Sequence, residues 1–199
     1  MAYPPTLEKV KLFYKKLPGI GEKSAERMAL ATLNLDDDII SEFAENVVQM
    51  KTKLHLCKIC HNLTEDEVCS ICADKNRNQN LICVVEDYKS LASFENAGNF
   101  EGVYHVLDKL ISPINNIGPS EINLASLIKR VENLENPEII LALKSSIEGE
   151  TTTLYIKKIF EGKNVVISRL SYGIPMGAEF EYLDILTLDK ALEDRKKIS

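Results

Sequence analysis

Cys57-Lys58-Ile59-Cys60 and Cys69-Ser70-Ile71-Cys72 bound a sixteen-residue stretch, CKICHNLTEDEVCSIC, that separates two parts of the chain with different patterns. Each Cys-x-x-Cys pair turns tightly enough to place two thiolates on one cation, and two such pairs complete a tetrahedral Zn²⁺ shell. Four protein ligands leave no open position for water. The spacing therefore predicts one structural zinc per chain, held by Cys57, Cys60, Cys69 and Cys72, and no catalytic metal. The eight-residue spacer is short for a zinc ribbon but long enough for a hairpin. Two redox motifs or four buried thiols are the competing readings, and neither accounts for two matched pairs. The fifth cysteine, Cys83, stands inside an apolar run and reads as core. His61 follows Cys60 directly but is left out of the ligand set, since four thiolates already satisfy the metal.

Before this stretch the pattern is helical. Leu7, Val10, Phe13, Tyr14 and Leu17 recur at helical spacing over residues 6–17. Pro18-Gly19-Ile20-Gly21 breaks that helix. A second helix carries Ala25, Met28, Ala29, Thr32 and Leu33 on one face, and a third comes next with Ile40, Phe43, Ala44, Val47 and Leu54. Asp36-Asp37-Asp38 reads as an N-cap with dipole-favourable charge, with no metal role.

After it the grammar changes to strands alternating with helices. Leu81–Val85 is a continuous apolar run of strand length, and Val103–Leu107, Ile139–Leu143 and Val165–Leu170 read as three further strands. A loop rich in Pro, Gly and Asn (112–119) leads to a helix ending near Glu135, a helix is expected over Thr151–Phe160, and a helical tail begins near Asp184. Such alternation implies βαβ units and a mostly parallel sheet. The boundaries expected are a helical region over 1–55, the zinc segment over 56–73, an α/β domain over 80–175 and a C-terminal helical arm over 176–199.

Composition sets limits on partners. The chain has 199 residues, 45% hydrophobic and 27% charged, as in ordinary globular proteins. No apolar run reaches the ~20 residues of a membrane span. Met1–Thr6 lacks a basic-then-apolar leader, so no membrane partner is expected and the expected location is the cytoplasm. A net charge of −6 argues against a surface coated for nucleic acid. Locally the balance reverses: Lys9, Lys11, Lys15, Lys16, Lys23 and Arg27 face only Glu22 and Glu26 between positions 9 and 27.

That basic excess surrounds Leu17-Pro18-Gly19-Ile20-Gly21-Glu22-Lys23-Ser24-Ala25, a helix-hairpin-helix signature. Gly19 and Gly21 let the backbone turn, and the N–H groups opening the second helix attract a phosphate. Lys23 and Arg27, four apart, share a face with that helix start. Gly19, Gly21, Lys23, Ser24 and Arg27 are thus candidate contacts to DNA, gripping its backbone without reading sequence. A turn used only for packing or self-association is the alternative. Gly21-Glu22-Lys23-Ser24 is not a P-loop, because Lys16 stands where the first glycine is required and Glu22 separates Gly from Lys, so no ATP site is expected.

Acids come after the strands of the α/β domain: Glu86 after the first, and Glu148-Gly149-Glu150 after the third, in the loop before a helix. Strand ends are where ligands bind in open parallel sheets, and carboxylates there can hold Mg²⁺ for phosphoryl transfer. Helix-cap and surface roles compete with that reading. His105 lies within a strand with no nucleophile to serve and reads as a core or interface histidine. Arg195-Lys196-Lys197 reads as a solubilising tail.

Taken together, Leu17–Ala25, the four cysteines, Val84-Val85-Glu86, Tyr104–Leu107, Ile111-Ser112-Pro113, Ile117-Gly118-Pro119, Glu148–Thr151, Arg169–Pro175, Pro175-Met176-Gly177, Glu181-Tyr182 and Thr187-Leu188 occur in one order. In that order, over essentially the whole chain, the sequence resembles the RecR family of recombination mediators. The resemblance implies a multi-part α/β protein: an N-terminal helix-hairpin-helix, a C4 zinc finger, a Toprim domain with a mostly parallel sheet, and a helical C-terminal arm. It also implies ring-shaped homo-oligomers, dimers joining into tetramers, that clamp double-stranded or gapped DNA. RecO- and RecF-type partners and help in loading RecA recombinase at single-stranded gaps come with the family.

Some positions depart from the family pattern. Toprim enzymes carry Asp-x-Asp after a central strand, whereas Leu141-Ala142-Leu143-Lys144-Ser145 has no aspartate and puts a lysine in the site. That removes most of the charge a catalytic Mg²⁺ requires, so a binding protein and not an enzyme is expected. Ser90 stands where an aspartate is common, and Asp108-Lys109 where a glycine pair is common. By resemblance Glu86, Glu148 and Glu150 become contacts for a basic partner surface. Two other readings compete: a Mg²⁺-dependent Toprim nuclease, and a zinc-stabilised interaction module that never touches DNA.

Overall fold

The computed structural model describes residues 3–171, 174–195 and 197. Tyr172, Gly173 and Lys196, which belong to the motifs quoted above, lie outside them. The chain forms two compact units, Met1–Leu54 and His55–Ser199.

The first unit is helical: α1 (Pro5–Lys15), α2 (Glu22–Leu33) and α3 (Asp37–Lys53). Pro5 opens α1, where its fixed φ suits the helix and no N–H is lost. Small side chains let α1 and α2 lie close. Ala25 and Ala29 are the buried residues of α2, and the Tyr14 and Thr32 hydroxyls meet at 2.7 Å. Gly19 adopts φ +78°, the left-handed backbone that closes the turn between them. Asp36 stands at the N-cap of α3 but makes no side-chain cap hydrogen bond. The aspartate run acts by charge alone, with Asp37 and Asp38 in the first turn and Lys51 and Lys53 in the last.

The second unit opens with an antiparallel pair, β1 (His55–Leu56) and β2 (Leu63–Thr64), and the short helix α4 (Ser70–Ala73). Next comes an all-parallel sheet in the order β4-β3-β5-β6, from β3 (Asn78–Val85), β4 (Gly102–Val106), β5 (Glu138–Ala142) and β6 (Val166–Arg169). Helices α5 (Tyr88–Ala97), α6 (Leu124–Val131) and α7 (Ile147–Ile159) connect the strands, and α8 (Ile185–Glu193) is the C-terminal arm. One sheet face packs Ile82, Val84, Val103, Ile139 and Leu141 against Leu127 and Ile156. The other packs Cys83, Val85 and Tyr104 against Leu91, Phe94 and Phe100. Both faces are covered along Ile82–Val85 and β4, which is why Leu81–Val85 reads as an unbroken apolar run, whereas edge strand β6 stays partly exposed.

Three elements differ from the expectation. Helix α5, which the apolar pattern did not reveal, starts where the Asp87 carboxylate accepts from Ser90 N at 2.8 Å and ends at Gly98 with φ +72°. Helix α6 stops at Val131, four residues short of Glu135. Helix α7 begins at Ile147, because the Ser146 hydroxyl accepts from Gly149 N at 3.2 Å. Glu148, Gly149 and Glu150 therefore form the first turn of a helix and not the loop before it.

Candidate functional site

The four zinc-segment cysteines are buried and their Sγ atoms all lie within 4.8 Å of one another. Cys60 and Cys69 Sγ stand 3.5 Å apart, near the ~3.8 Å edge that a tetrahedron with ~2.3 Å Zn–S bonds requires. The Cys69 backbone N–H donates to Cys57 Sγ at 3.3 Å and ties the two cysteine pairs together. Donor type, number and spacing fit one zinc ion with a closed shell, and the four cysteines hold a structural Zn²⁺.

The knuckle is fastened to the neighbouring sheet. Val106 N, on edge strand β4, donates to Cys60 O at 2.8 Å. His61 turns the chain with φ +62°, its Nε2 lies 2.8 Å from Ser126 Oγ, and its ring stands edge-on to His105 at 5.4 Å. Three other side chains cap outward carbonyls of β4: Arg77 at Gly102 (3.0 Å), Arg130 at Tyr104 (2.7 Å) and Asn123 at Val106 (3.1 Å). Together they cover an edge that would otherwise offer itself to another strand. No local pattern marks Arg77 or Arg130 for this role, because each reaches a residue about 25 positions away. His105 is fully buried, as its place within a strand suggests, and its Nε2–H donates to Asn123 O at 2.8 Å. Burial pushes its pKa down to about 3, so the ring is neutral.

At the C-terminal ends of β3, β4 and β5 lies a cleft of about 270 Å³ whose charged lining is Glu86, Asp108, Lys109, Lys144 and Glu148. Lys144 Nζ lies 2.9 Å from Glu86 Oε1 and neutralises it from within. Its own backbone N–H and the Ser146 hydroxyl, donating at 2.9 Å, hold Glu148 below the ordinary carboxylate range. Three acids against two lysines leave the cleft nearly balanced, a poor site for a divalent cation. Gly149 is what allows α7 to start here, since a Cβ at that position would run into the Lys144 carbonyl. Asp108 adopts φ +70°, a backbone that glycine takes freely and that other residues adopt rarely. Glu150 is not brought to this cleft. It lines a second hollow with Ser145, Ser146 and Lys190, and its carboxylate lies 3.6 Å from Arg169 Nη1.

In the first unit, Gly21 precedes α2 with extended backbone, and no side chain caps the helix. The first donor bonded within α2 is Ala25 N, to Gly21 O at 2.9 Å. Glu22 is drawn back to α1, with Lys11 Nζ at 3.0 Å and Lys15 Nζ at 2.5 Å, and the pairing holds its carboxyl below the usual range. The acid inside the motif is thus engaged elsewhere. Lys23 and Arg27 are exposed and make no ion pair among the described residues, while Ser24 is half-buried. Of the six basic residues counted between positions 9 and 27, Lys11 and Lys15 are occupied by Glu8 and Glu22.

Four family models match the chain in succession. They are the RecR helix-hairpin-helix over residues 13–51, the RecR four-cysteine zinc finger domain over 54–74, the Toprim domain over 80–171 and the RecR C-terminal segment over 173–196. Among curated proteins, Recombination protein RecR of Enterococcus faecalis is 41% identical over 198 residues, covering 100% of both chains. The proteins of that name from Streptococcus gordonii and Staphylococcus aureus reach the same identity and coverage. Among the described residues no helix is long and apolar enough to cross a membrane. With RecR-specific segments matched in order and whole-length relatives at this identity, the chain belongs to the RecR family of recombination proteins.

Proposed function

We propose that the chain is a non-enzymatic DNA repair and recombination mediator: a cytoplasmic ring of several copies that clamps double-stranded or gapped DNA without reading sequence. With RecO- and RecF-type partners, it helps load RecA recombinase at single-stranded gaps. The observation that carries this reading is the start of α2. Its backbone donors are uncapped, its internal acid Glu22 is tied to α1, and its flanking Lys23 and Arg27 make no ion pair among the described residues. A phosphate is attracted there by the N–H groups of the Gly21–Ser24 backbone, by the helix dipole and by two cations. Gly19 supplies the left-handed turn that the approach needs.

Ring closure explains how an acidic protein stays on a polyanion. Encirclement holds what few phosphate contacts cannot. Exposed apolar side chains favour contact between copies: Phe43, Val47 and Val48 on α3, and Met176, Phe180 and Tyr182 before α8. Glu86 and Glu148 in the Toprim cleft, with Glu150 beside it, are assigned to a basic surface of a partner. The Glu86–Lys144 pair speaks against Mg²⁺-dependent cleavage.

Retention on closed DNA tests the reading. The protein is loaded on nicked circular DNA and on the same DNA linearised, then challenged with high salt. A clamp stays on the circle and slides off the linear form. Equal release from both contradicts the ring.

A further inference from the structure

The outer face of α1 carries an apolar groove of about 420 Å³ lined by Lys9, Leu12, Phe13, Lys15 and Lys16. Three of its five walls are lysine. Phe13 is 65% exposed and Leu12 52%, so two adjacent large apolar side chains of α1 are open to a ligand. Lys16 Nζ sits 5.3 Å from the centroid of the Phe13 ring, close enough for a cation–π contact, and yet the ring remains mostly open. Lys9, a turn before Phe13, makes no ion pair among the described residues. Lys16 lies three residues after it, just before the Leu17–Gly21 turn.

An exposed aromatic ring between cations on one helix face meets two demands of unpaired nucleic acid. The ring offers a stacking platform to any base, and the lysines follow the phosphates on either side. Duplex DNA cannot use the platform, because its bases are already stacked. A neutral or basic protein surface would leave the lysines without purpose, and a second copy of this face would bring like charges together.

We propose that Phe13, flanked by Lys9 and Lys16, is a stacking site for an unpaired base, so that the first unit favours gapped or single-stranded DNA over continuous duplex. The assignment rests on the DNA-contact reading of the neighbouring hairpin and adds a discrimination that phosphate contacts alone do not supply.

The test uses the full-length, zinc-loaded protein with a fluorescent duplex and a gapped duplex of equal length. Phe13→Ala lowers affinity for the gapped DNA by about 5- to 150-fold, the range of one base–aromatic stack, and leaves duplex affinity unchanged. Phe13→Tyr restores binding. Lys9→Ala/Lys16→Ala weakens binding to the gapped DNA and flattens its salt dependence. With 5-iododeoxyuridine in the gap, ultraviolet light cross-links the base to the peptide containing Phe13. Unchanged binding of Phe13→Ala to both DNAs, with duplex binding still lost in Lys23→Ala/Arg27→Ala, overturns the stacking assignment and leaves the hairpin grip standing. A fall in oligomer mass for Phe13→Ala, seen by light scattering, assigns the face to a second copy and overturns it too. Wild-type protein that binds neither DNA overturns both readings.

Discussion

Val106 N donates a 2.8 Å hydrogen bond to the carbonyl of Cys60, so a residue that ligates zinc is also a partner of the edge strand of the Toprim sheet. Two residues beyond Val106 stands Asp108, a wall of the charged cleft. Metal site, sheet edge and cleft are linked by a short run of backbone.

Removing the zinc is therefore felt outside the knuckle. Structural zinc binding is worth about 10–16 kcal/mol in finger peptides, as much as the whole folding stability of a domain, about 5–15 kcal/mol. A strong chelator, or Cys57→Ser, unfolds the knuckle and uncovers β4. Amide hydrogen exchange speeds at Val106 as well as throughout 55–74, and assembly is impaired. Exchange that changes only within 55–74 would show that the edge strand does not depend on the metal.

His105 makes the second unit sensitive to acid. The ring is neutral when folded and titrates only near pH 3, whereas in the unfolded chain it titrates near the ordinary ~6.5. Its contribution is complete above about pH 6.5 and falls as pH drops towards 3, at roughly 1.4 kcal/mol per unit. Denaturant melts between about pH 7 and 4 should show a steeper loss for the wild type than for His105→Phe. Parallel curves would mean that the histidine is not the source.

Gly149→Ala destabilises the second unit by about 1–3 kcal/mol, the usual cost of forcing atoms into a filled space. The added methyl collides with the Lys144 carbonyl, so α7 must retreat from the cleft and Glu148 with it. Thermal melting measures the loss. A variant as stable as the wild type would mean that the helix start shifts freely.

Much of this architecture was legible because the residues concerned act locally or periodically. The matched Cys-x-x-Cys pairs announced the metal, the Pro-Gly-Ile-Gly turn announced the hairpin, and strands buried on both faces read as apolar runs. Helix α5 has no such pattern, because Leu91 is its one fully buried residue and its signal is a cap, Asp87 to Ser90. The start of α7 is hidden for a similar reason: Ser146 caps it, ahead of a glycine whose type suggests loop. Glu150 is separated from Glu86 and Glu148 because it lies on that helix, where residues two apart point in different directions, whereas a loop could bring them together. The caps on β4 and the capture of Glu22 by Lys11 and Lys15 join residues far apart in the chain or on different helices, and no local pattern encodes them.

The most direct measurement is binding of labelled double-stranded and gapped DNA across a salt series, wild type against Lys23→Ala/Arg27→Ala. The double variant should lose affinity on every sequence tested and show a salt slope shallower by up to about two charges, as two lost phosphate contacts require. Unchanged affinity and slope would contradict the account, leaving the hairpin as packing and moving any contact with DNA to another surface.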